Sequence, residues 1–530
     1  MGGGYQSSLT SVGCFQQQAM EFSAPTRPGA GMEATGLSTI SGSLELYGSV
    51  HHSHMTPNTS VTKTAITPKH HYIAVAVLCY VNLLNYMDRY TIAGVLLNIQ
   101  NYFSVNDSSA ALLQTVFICS FMLLAPVFGY LGDRYNRKFI MAVGLSVWIL
   151  ATIGSSFITK PYFWVLVLTR ALVGTGEASY STIAPTIIGD LFSGHKRTIM
   201  IAFFYIFIPV GSGLGYIIGS GIATATGDWH WALRVSPILG LIGLILLILM
   251  VPSPPRGASE TQGLIPLENT HYLDDVKYLL KNRSFVWSSL GVTAMAFVTG
   301  ALAFWTPVFL SRAQVKQGLK PPCSKEPCDP SDSLIFGAIT VAAGILGVFI
   351  GTCLSGKLRN RVSNADPLIC AVGMLSSSPC LFLAIVLAYK SIPATYVFIA
   401  VGETLLSLNW SVLADILLYV VIPTRRATAE ALQIMVCHLL GDAGSPALLG
   451  VISDALNKYN PESYSWSFRS LEYSFLLCPF VSILGGLFFL LTALYIAQDK
   501  KAAEMLTAGK ILVSGQTPVS GQVPPPSVST

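Results

Sequence analysis

Charged side chains are scarce in this chain: Asp, Glu, Lys and Arg make up 11% of its 530 residues, against 52% hydrophobic. With a mean hydropathy of +0.58, that balance excludes an ordinary soluble domain, in which about a quarter of residues are charged. A net charge of +5 says little by itself, and no nucleic-acid partner is expected. No basic-then-apolar signal peptide opens the chain, so the first span is expected to serve as its own insertion signal. A complete nucleotide-binding loop, G-x-x-x-x-G-K-[ST], is missing, which leaves ATP-driven pumping unsupported. So is a G-x-S-x-G nucleophile, and with it the main signature of a lipid hydrolase. Neither a metal nor a cofactor is expected.

What the chain has instead is twelve apolar runs. Six lie at about 72–97, 109–131, 139–158, 162–190, 199–223 and 231–251, and six at about 284–311, 332–355, 366–388, 391–422, 429–452 and 471–497. Each is long enough to cross a bilayer. The expected organisation is therefore a disordered tail over 1–68, a six-helix bundle over 69–251, a central loop over 252–283, a second bundle over 284–498 and a disordered tail over 499–530. With the N-terminus placed inside, 20 of the 31 Lys and Arg fall inside and 8 outside. The sign of that bias puts both termini in the cytosol. Short matches to sorting signals occur at Tyr47 and Glu260, and they leave plasma membrane and late endosome or lysosome both open.

The two halves repeat weakly. GYLGDRYNRK (129–138) follows the second run and GTCLSGKLRNR (351–361) the eighth, while Gly176-Glu177 and Gly402-Glu403 occupy the fourth and tenth. Same order and same topology imply parallel repeats about an axis along the membrane normal.

Polar groups inside the runs mark the candidate sites, because a charge at the hydrocarbon centre costs on the order of a few kcal/mol. In the first run Asn82, Asn85 and Arg89 share a helix face with Asp88 at its border. They make either a structural ion pair that locks the bundle or a substrate or proton site. Arg170, Glu177 and Ser181 line one side of the fourth run, where Arg170 can neutralise Glu177 or meet Asp88 across a cavity. Glu403 shares a face with Ser407 and Trp410 and suits the cationic part of a headgroup, with Trp410 adding a cation–π face. His438 and Asp442, four apart, suit a hydrogen-bonded pair. Arg234 either holds a phosphate or anchors its helix at the interface. Cys323 and Cys328, in a polar loop assigned outside, read as a local disulfide, whereas the other cysteines in the runs read as small hydrophobes. Asn106 in N-D-S is a candidate glycan acceptor.

GYLGDRYNRK fits the G-x-x-x-D-R-x-G-R-K signature of the major facilitator superfamily, with Asn136 in place of the second Gly. Asp133, Arg134 and Arg137 are the expected cytosolic gate. In the second copy Ser355 stands where the acid should be. CYVNLLNYMDRYTIAGVL, GEASYSTIAPTIIGDLF, FIPVGSGLGYIIGS, GDWHWALRVSP and HLLGDAGSP together resemble the spinster homologues, major facilitator transporters of sphingolipids and lysophospholipids. The likeness runs from about Tyr72 to Gln498, and VPSPPRGASETQG with the PPC…EPC loop points to one branch of the family.

The resemblance implies an all-α integral membrane protein of twelve transmembrane helices in two pseudo-symmetric bundles. It also implies a non-enzymatic, monomeric, proton-coupled carrier of a sphingolipid or lysophospholipid. On the matching positions it implies coupling roles for Asp88, Arg89, Glu177 and His438, with Arg170 matching a family Arg nearby. Asn85, Ser181, Glu403, Trp410 and Arg234 are the expected headgroup contacts. A carrier of a small polar solute and a non-transporting lipid sensor are the alternatives.

Overall fold

The computed structural model describes residues 68–192, 194–254, 272–323, 328–359, 361–422, 425–460 and 463–515. The Tyr47 and Glu260 motifs lie outside them. Every regular element among the described residues is helical. The first half contains α1 (Pro68–Gly94), the short α2 (Leu96–Phe103), α3 (Asp107–Arg134), α4 (Arg137–Ser155), α5 (Phe163–Leu191), α6 (Gly194–Thr226) and α7 (His230–Met250). A connecting helix, α8 (Tyr272–Lys281), leads to α9 (Arg283–Lys316), α10 (Ser331–Leu358), α11 (Ala365–Leu387) and α12 (Ile392–Val420). The eleventh span is broken into α13 (Arg426–Val436), a π-helical turn (Cys437–Asp442) and α14 (Gly444–Asn457), and the twelfth into α15 (Tyr464–Phe475) and α16 (Leu477–Gly515).

Asparagine and serine side chains start many of these helices. Asn106, Asn136 and Asn282 accept the backbone N–H three residues ahead at the N-termini of α3, α4 and α9, as Ser463 does for α15. Asn136, the departure from the superfamily signature, is thus the cap of α4. The sequence reading ends the last span near residue 497 and expects a disordered tail from 499, whereas α16 continues to Gly515. The segment QDKKAAEML supplies strong helix formers that keep it going.

Ten helices among the described residues are long and apolar enough to span a bilayer. The two spans outside that set, α1 and α5, carry Asp88–Arg89 and Arg170–Glu177. The helices that least suit lipid are the two that hold these buried pairs. Packing repeats between the halves. α3 lies on α5, α4 on α5 and α4 on α7, as α10 lies on α12, α11 on α12 and α11 on α16. The halves meet where α6 packs on α10 and α3 on α14.

One end of this interface, the end bearing the disulfide, is closed. Apolar residues from both halves merge there into one core, including Leu96, Ile99 and Trp229 from the first and Phe304, Phe336 and Leu449 from the second. Over that core sits a polar clasp. Buried Asp107 accepts two hydrogen bonds from Arg312 (2.6 and 2.9 Å), one from Gln100 (2.8 Å) and one from Ser453 (2.7 Å). Asp454 in turn accepts the backbone N–H groups of Asp107 and Ser108 at 3.0 and 2.8 Å, capping α3 from the opposite half. Gly450 permits the approach, since a Cβ there would lie 2.8 Å from the Asp107 carbonyl oxygen.

The clasp is testable. Arg312→Ala leaves the Asp107 carboxylate buried without its cation, so the thermal midpoint of the detergent-solubilised protein should fall by the equivalent of about 3–5 kcal/mol. Arg312→Lys should lose less, and an unchanged midpoint in the alanine variant would show that the clasp does not hold the halves together.

Candidate substrate and coupling site

Beneath the clasp lies a cavity of about 1390 Å³, part of it open to solvent, between the two halves. α1 turns Tyr86, Arg89 and Tyr90 into it, residues three and four apart and so on one face. Gln114 of α3 and Ser212 and Tyr216 of α6 join them. The opposite wall carries Thr340 of α10, Glu403, Ser407 and Trp410 of α12, and Asp442. Leu302, Phe336, Leu381 and Ile399 make much of the remaining lining apolar.

Arg89 is 5% exposed and donates to Glu177 at 3.0 Å. Glu177 is not part of the cavity wall; it stands behind Arg89. The guanidinium is also surrounded by rings, lying 5.1, 4.8 and 5.4 Å from the centroids of Tyr86, Phe117 and Phe121. Its Nε has no hydrogen-bond partner. Phe117 is shared with Arg170, whose guanidinium lies 4.9 Å from the same ring.

Of the two partners the sequence offers Arg170, the structure selects Asp88. Arg170 approaches Asp88 Oδ2 at 3.4 Å. Asp88 is 1% exposed and also accepts from Trp148 Nε1 at 3.2 Å and Ser236 Oγ at 2.6 Å. The first half therefore holds two crossed ion pairs between α1 and α5, one on the cavity side and one sealed among α1, α4, α5 and α7.

The second half is charged differently. Glu403 Oε2 is buried without a hydrogen-bond partner, and so is Thr340 Oγ1. Asp442 reaches the cavity from the π-helical turn, where His438 Nδ1 lies 3.0 and 3.1 Å from its two carboxylate oxygens. Among the described residues that line the cavity, the charged side chains are one cation, Arg89, and two carboxylates, Glu403 and Asp442.

Several expected headgroup residues are elsewhere. Asn85 and Ser181 are buried with no hydrogen-bond partners for their polar side-chain atoms, and neither lines the cavity. The face of α1 that reaches the cavity is set by Tyr86 and Tyr90, which leaves Asn85 on its flank; Ser181 lies one turn beyond Glu177, on the packed side of α5. Arg234 is also outside the cavity. It donates to the Ser156 carbonyl oxygen and hydroxyl at 3.2 and 3.3 Å and lies over Trp231 and Phe157, the anchoring alternative. Arg137 binds Asp190 of α5 and the Gly132 carbonyl oxygen, so these contacts of the gate motif stay within the first half. Arg134 is exposed over Tyr130, and the side chain of Asp133 lies outside the described residues. In the second copy the missing acid is supplied by Asp366, which accepts from Ser355 at 2.6 Å and pairs with Arg359 at 3.1 Å. Cys323 and Cys328 form a disulfide, and Asn106 is exposed at the start of α3.

Sequence reasoning missed Trp148, Ser236 and the Asp107–Arg312–Asp454 clasp. A tryptophan or serine in an apolar run reads as core, and charges at span ends read as interface residues. Tyr86 and Tyr90 were recoverable, because they share the helix face of Arg89.

Comparison with known proteins agrees with this architecture. The model of the Major Facilitator Superfamily matches residues 78–446. Spinster homolog 3 of Danio rerio is 74% identical over 465 residues, covering 88% of this chain and 93% of that protein. Human spinster homolog 1 is 57% identical over 448 residues (84% of this chain, 85% of that one), and human spinster homolog 3 is 56% identical over 449 (84% and 88%). Among solved structures, an inward-facing, unoccupied bacterial homolog of the human lysosomal transporter spinster superposes with a TM-score of 0.71 at 22% identity. It covers 82% of this chain and 99% of its own, a likeness of fold. The chain belongs to the spinster homologues of the major facilitator superfamily, and is a multi-pass membrane transporter.

Proposed function

We propose that this transporter carries a sphingolipid or lysophospholipid by alternating access, coupled to protons through Arg89 and Glu177. The observation that carries the reading is the placement of Arg89: its guanidinium is on the cavity wall while its carboxylate partner is behind it. A phosphate entering the cavity competes with Glu177 for the same cation. Once Arg89 turns to the phosphate, Glu177 is a buried carboxylate without its hydrogen-bonded cation, and it takes a proton from cavity water. Charge is balanced at each stage, and binding of the anion is tied to uptake of the proton.

The opposite wall suits the other end of the same headgroup. Glu403, with one carboxylate oxygen unpartnered, and the face of Trp410 would take a sphingoid ammonium or a choline. His438–Asp442 adds a second acidic position near Arg89. The apolar lining from Leu302 to Ile399 gives the acyl chain a path that a small polar solute does not need. Asp133, Arg134 and Arg137 belong to the cytosolic gate in this reading. The basic bias supports a reading in which both termini are cytosolic, the disulfide end lies outside or in a lumen, and the transporter works as a monomer in the plasma, late endosomal or lysosomal membrane.

Two outcomes test it. In liposomes, Glu177→Gln should still move sphingosine-1-phosphate or lysophosphatidylcholine down its gradient but should not respond to an imposed proton gradient. Gradient-driven accumulation surviving in that variant sinks the coupling assignment. Glu403→Gln should raise KM for lysophosphatidylcholine about tenfold, the loss expected from one charge-assisted contact. An unchanged KM would move the cationic headgroup away from α12.

A further inference from the structure

Several polar groups on the cavity wall are satisfied within the protein. Ser212 donates to the Ile208 carbonyl oxygen at 2.8 Å and Thr299 to the Met295 carbonyl oxygen at 3.0 Å, each one turn back on its own helix. Pro307 has no N–H to offer the Ala303 carbonyl oxygen, and Tyr216 of the other half donates its hydroxyl there instead. Gln114 of α3 and Thr306 of α9 differ from these. Both line the cavity, at 8% and 3% exposed, and neither side chain has a hydrogen bond to another described residue. Thr306 does not even take the carbonyl one turn back, as Thr299 does. A buried amide and a buried hydroxyl are thus left for whatever fills the cavity.

The clasp fixes their depth. Asp107 and Arg312 meet at 2.6 Å. Gln114 follows Asp107 on α3 by seven residues and Thr306 precedes Arg312 on α9 by six, so each lies about 9–10 Å inward of the clasp. The two therefore reach the cavity at one level, from opposite halves. Arg89 is close to that level. The ring of Phe117 lies 4.8 Å from the Arg89 guanidinium, and Gln114 is three residues from Phe117 toward the closed end, a rise of about 4.5 Å. A group bound to Arg89 thus has a neutral hydrogen-bonding pair about one helical turn away, on the side of the closed end.

We propose, on the lipid-carrier reading of this cavity, that Gln114 and Thr306 are specificity-determining residues that bind the free backbone hydroxyl of a single-chain phospholipid while its phosphate is on Arg89. A hydroxyl both donates and accepts, and so do an amide and a second hydroxyl, so the pair satisfies it in both directions. A phosphate only accepts and an ammonium only donates, and each would use half of what the pair offers. In a lysophospholipid the hydroxyl is on the carbon next to the phosphate ester, and in a sphingoid phosphate it is one carbon farther. In a diacyl phospholipid the same oxygen is esterified: it has no proton to donate, and it brings a second chain against two buried polar groups. Leaving those groups unpaired costs affinity. Arg89 meets the same phosphate in one-chain and two-chain lipids, so the distinction between them falls to Gln114 and Thr306.

The test is uptake into liposomes containing the full-length protein. Lysophosphatidylcholine and sphingosine-1-phosphate are each compared with a deoxy analogue in which hydrogen replaces the hydroxyl. For the lipid it carries, the wild type should show a kcat/KM about tenfold higher for the hydroxyl form, the effect of one hydrogen bond. Thr306→Val and Gln114→Met keep the shape and remove the hydrogen bonding. Each should bring that ratio toward one by lowering the hydroxyl form and leaving the deoxy form unchanged, while Thr306→Ser should keep the wild-type ratio. Either variant carries the test alone should the other fail to fold. A wild-type ratio of one overturns the assignment, as does a wild-type ratio preserved in both variants. So does a fall shared equally by the two forms, which would mean that the side chains bond only water or support the fold. Absence of flux for all four lipids would remove the lipid-carrier reading and the assignment with it, whereas equal flux of hydroxyl and deoxy forms would leave the carrier and remove only the hydroxyl contact.

Discussion

An arginine buried in a membrane-spanning bundle must be given its counter-charge by the protein, because lipid and apolar side chains cannot supply one. Here the pairing of Arg89 with Glu177 at 3.0 Å meets that demand, and much of the first half is arranged around it. α1 and α5 lie within reach of each other so that the two side chains meet. Phe117 fills the space between Arg89 and Arg170 with a ring face that both cations tolerate. The second pair, Asp88–Arg170, lies at the same level and binds the two helices on the side away from the cavity. Because the pair is intact at the edge of the cavity, any anion that enters meets a cation already committed elsewhere. On the proposed coupling, substrate binding and proton binding are two outcomes of one competition.

The two halves repeat in packing and differ in charge. In the first, cations and anions are matched and buried. In the second, Glu403 brings a carboxylate oxygen without a hydrogen-bond partner to the cavity, and Asp442 sits on a π-helical turn beside His438. π-helical turns commonly occur at functional sites, where the extra residue re-aims a side chain. At the disulfide end the halves are bound through Asp107, Arg312, Ser453 and Asp454. These are polar contacts over an apolar core.

Much of this was legible in the sequence. Twelve runs, the weak repeat and the stripes on the first, fourth and tenth spans give the fold and four residues of the cavity wall, Arg89, Glu403, Ser407 and Trp410, because period and burial cost act on the sequence directly. The pairings were less legible. Spacing places Arg170 and Glu177 on one helix face, but which acid each arginine takes depends on how α5 is rotated against α1. Asn85, Ser181 and Arg234 were assigned by polarity within an apolar run, and polarity does not say which side of a helix faces the cavity. Trp148 and Ser236 were invisible because their function is to bond another side chain. Asp107 and Arg312 are 205 residues apart, and only the meeting of the two halves makes them a pair.

The most direct measurement is the number of protons taken up when the purified wild-type protein in weakly buffered nanodiscs binds sphingosine-1-phosphate. Competition for Arg89 predicts one proton per lipid bound, absent when Glu177 is replaced by Gln. Tight binding with no proton uptake by the wild type would contradict it, and would leave the Arg89–Glu177 pair as a structural bond that the substrate does not disturb.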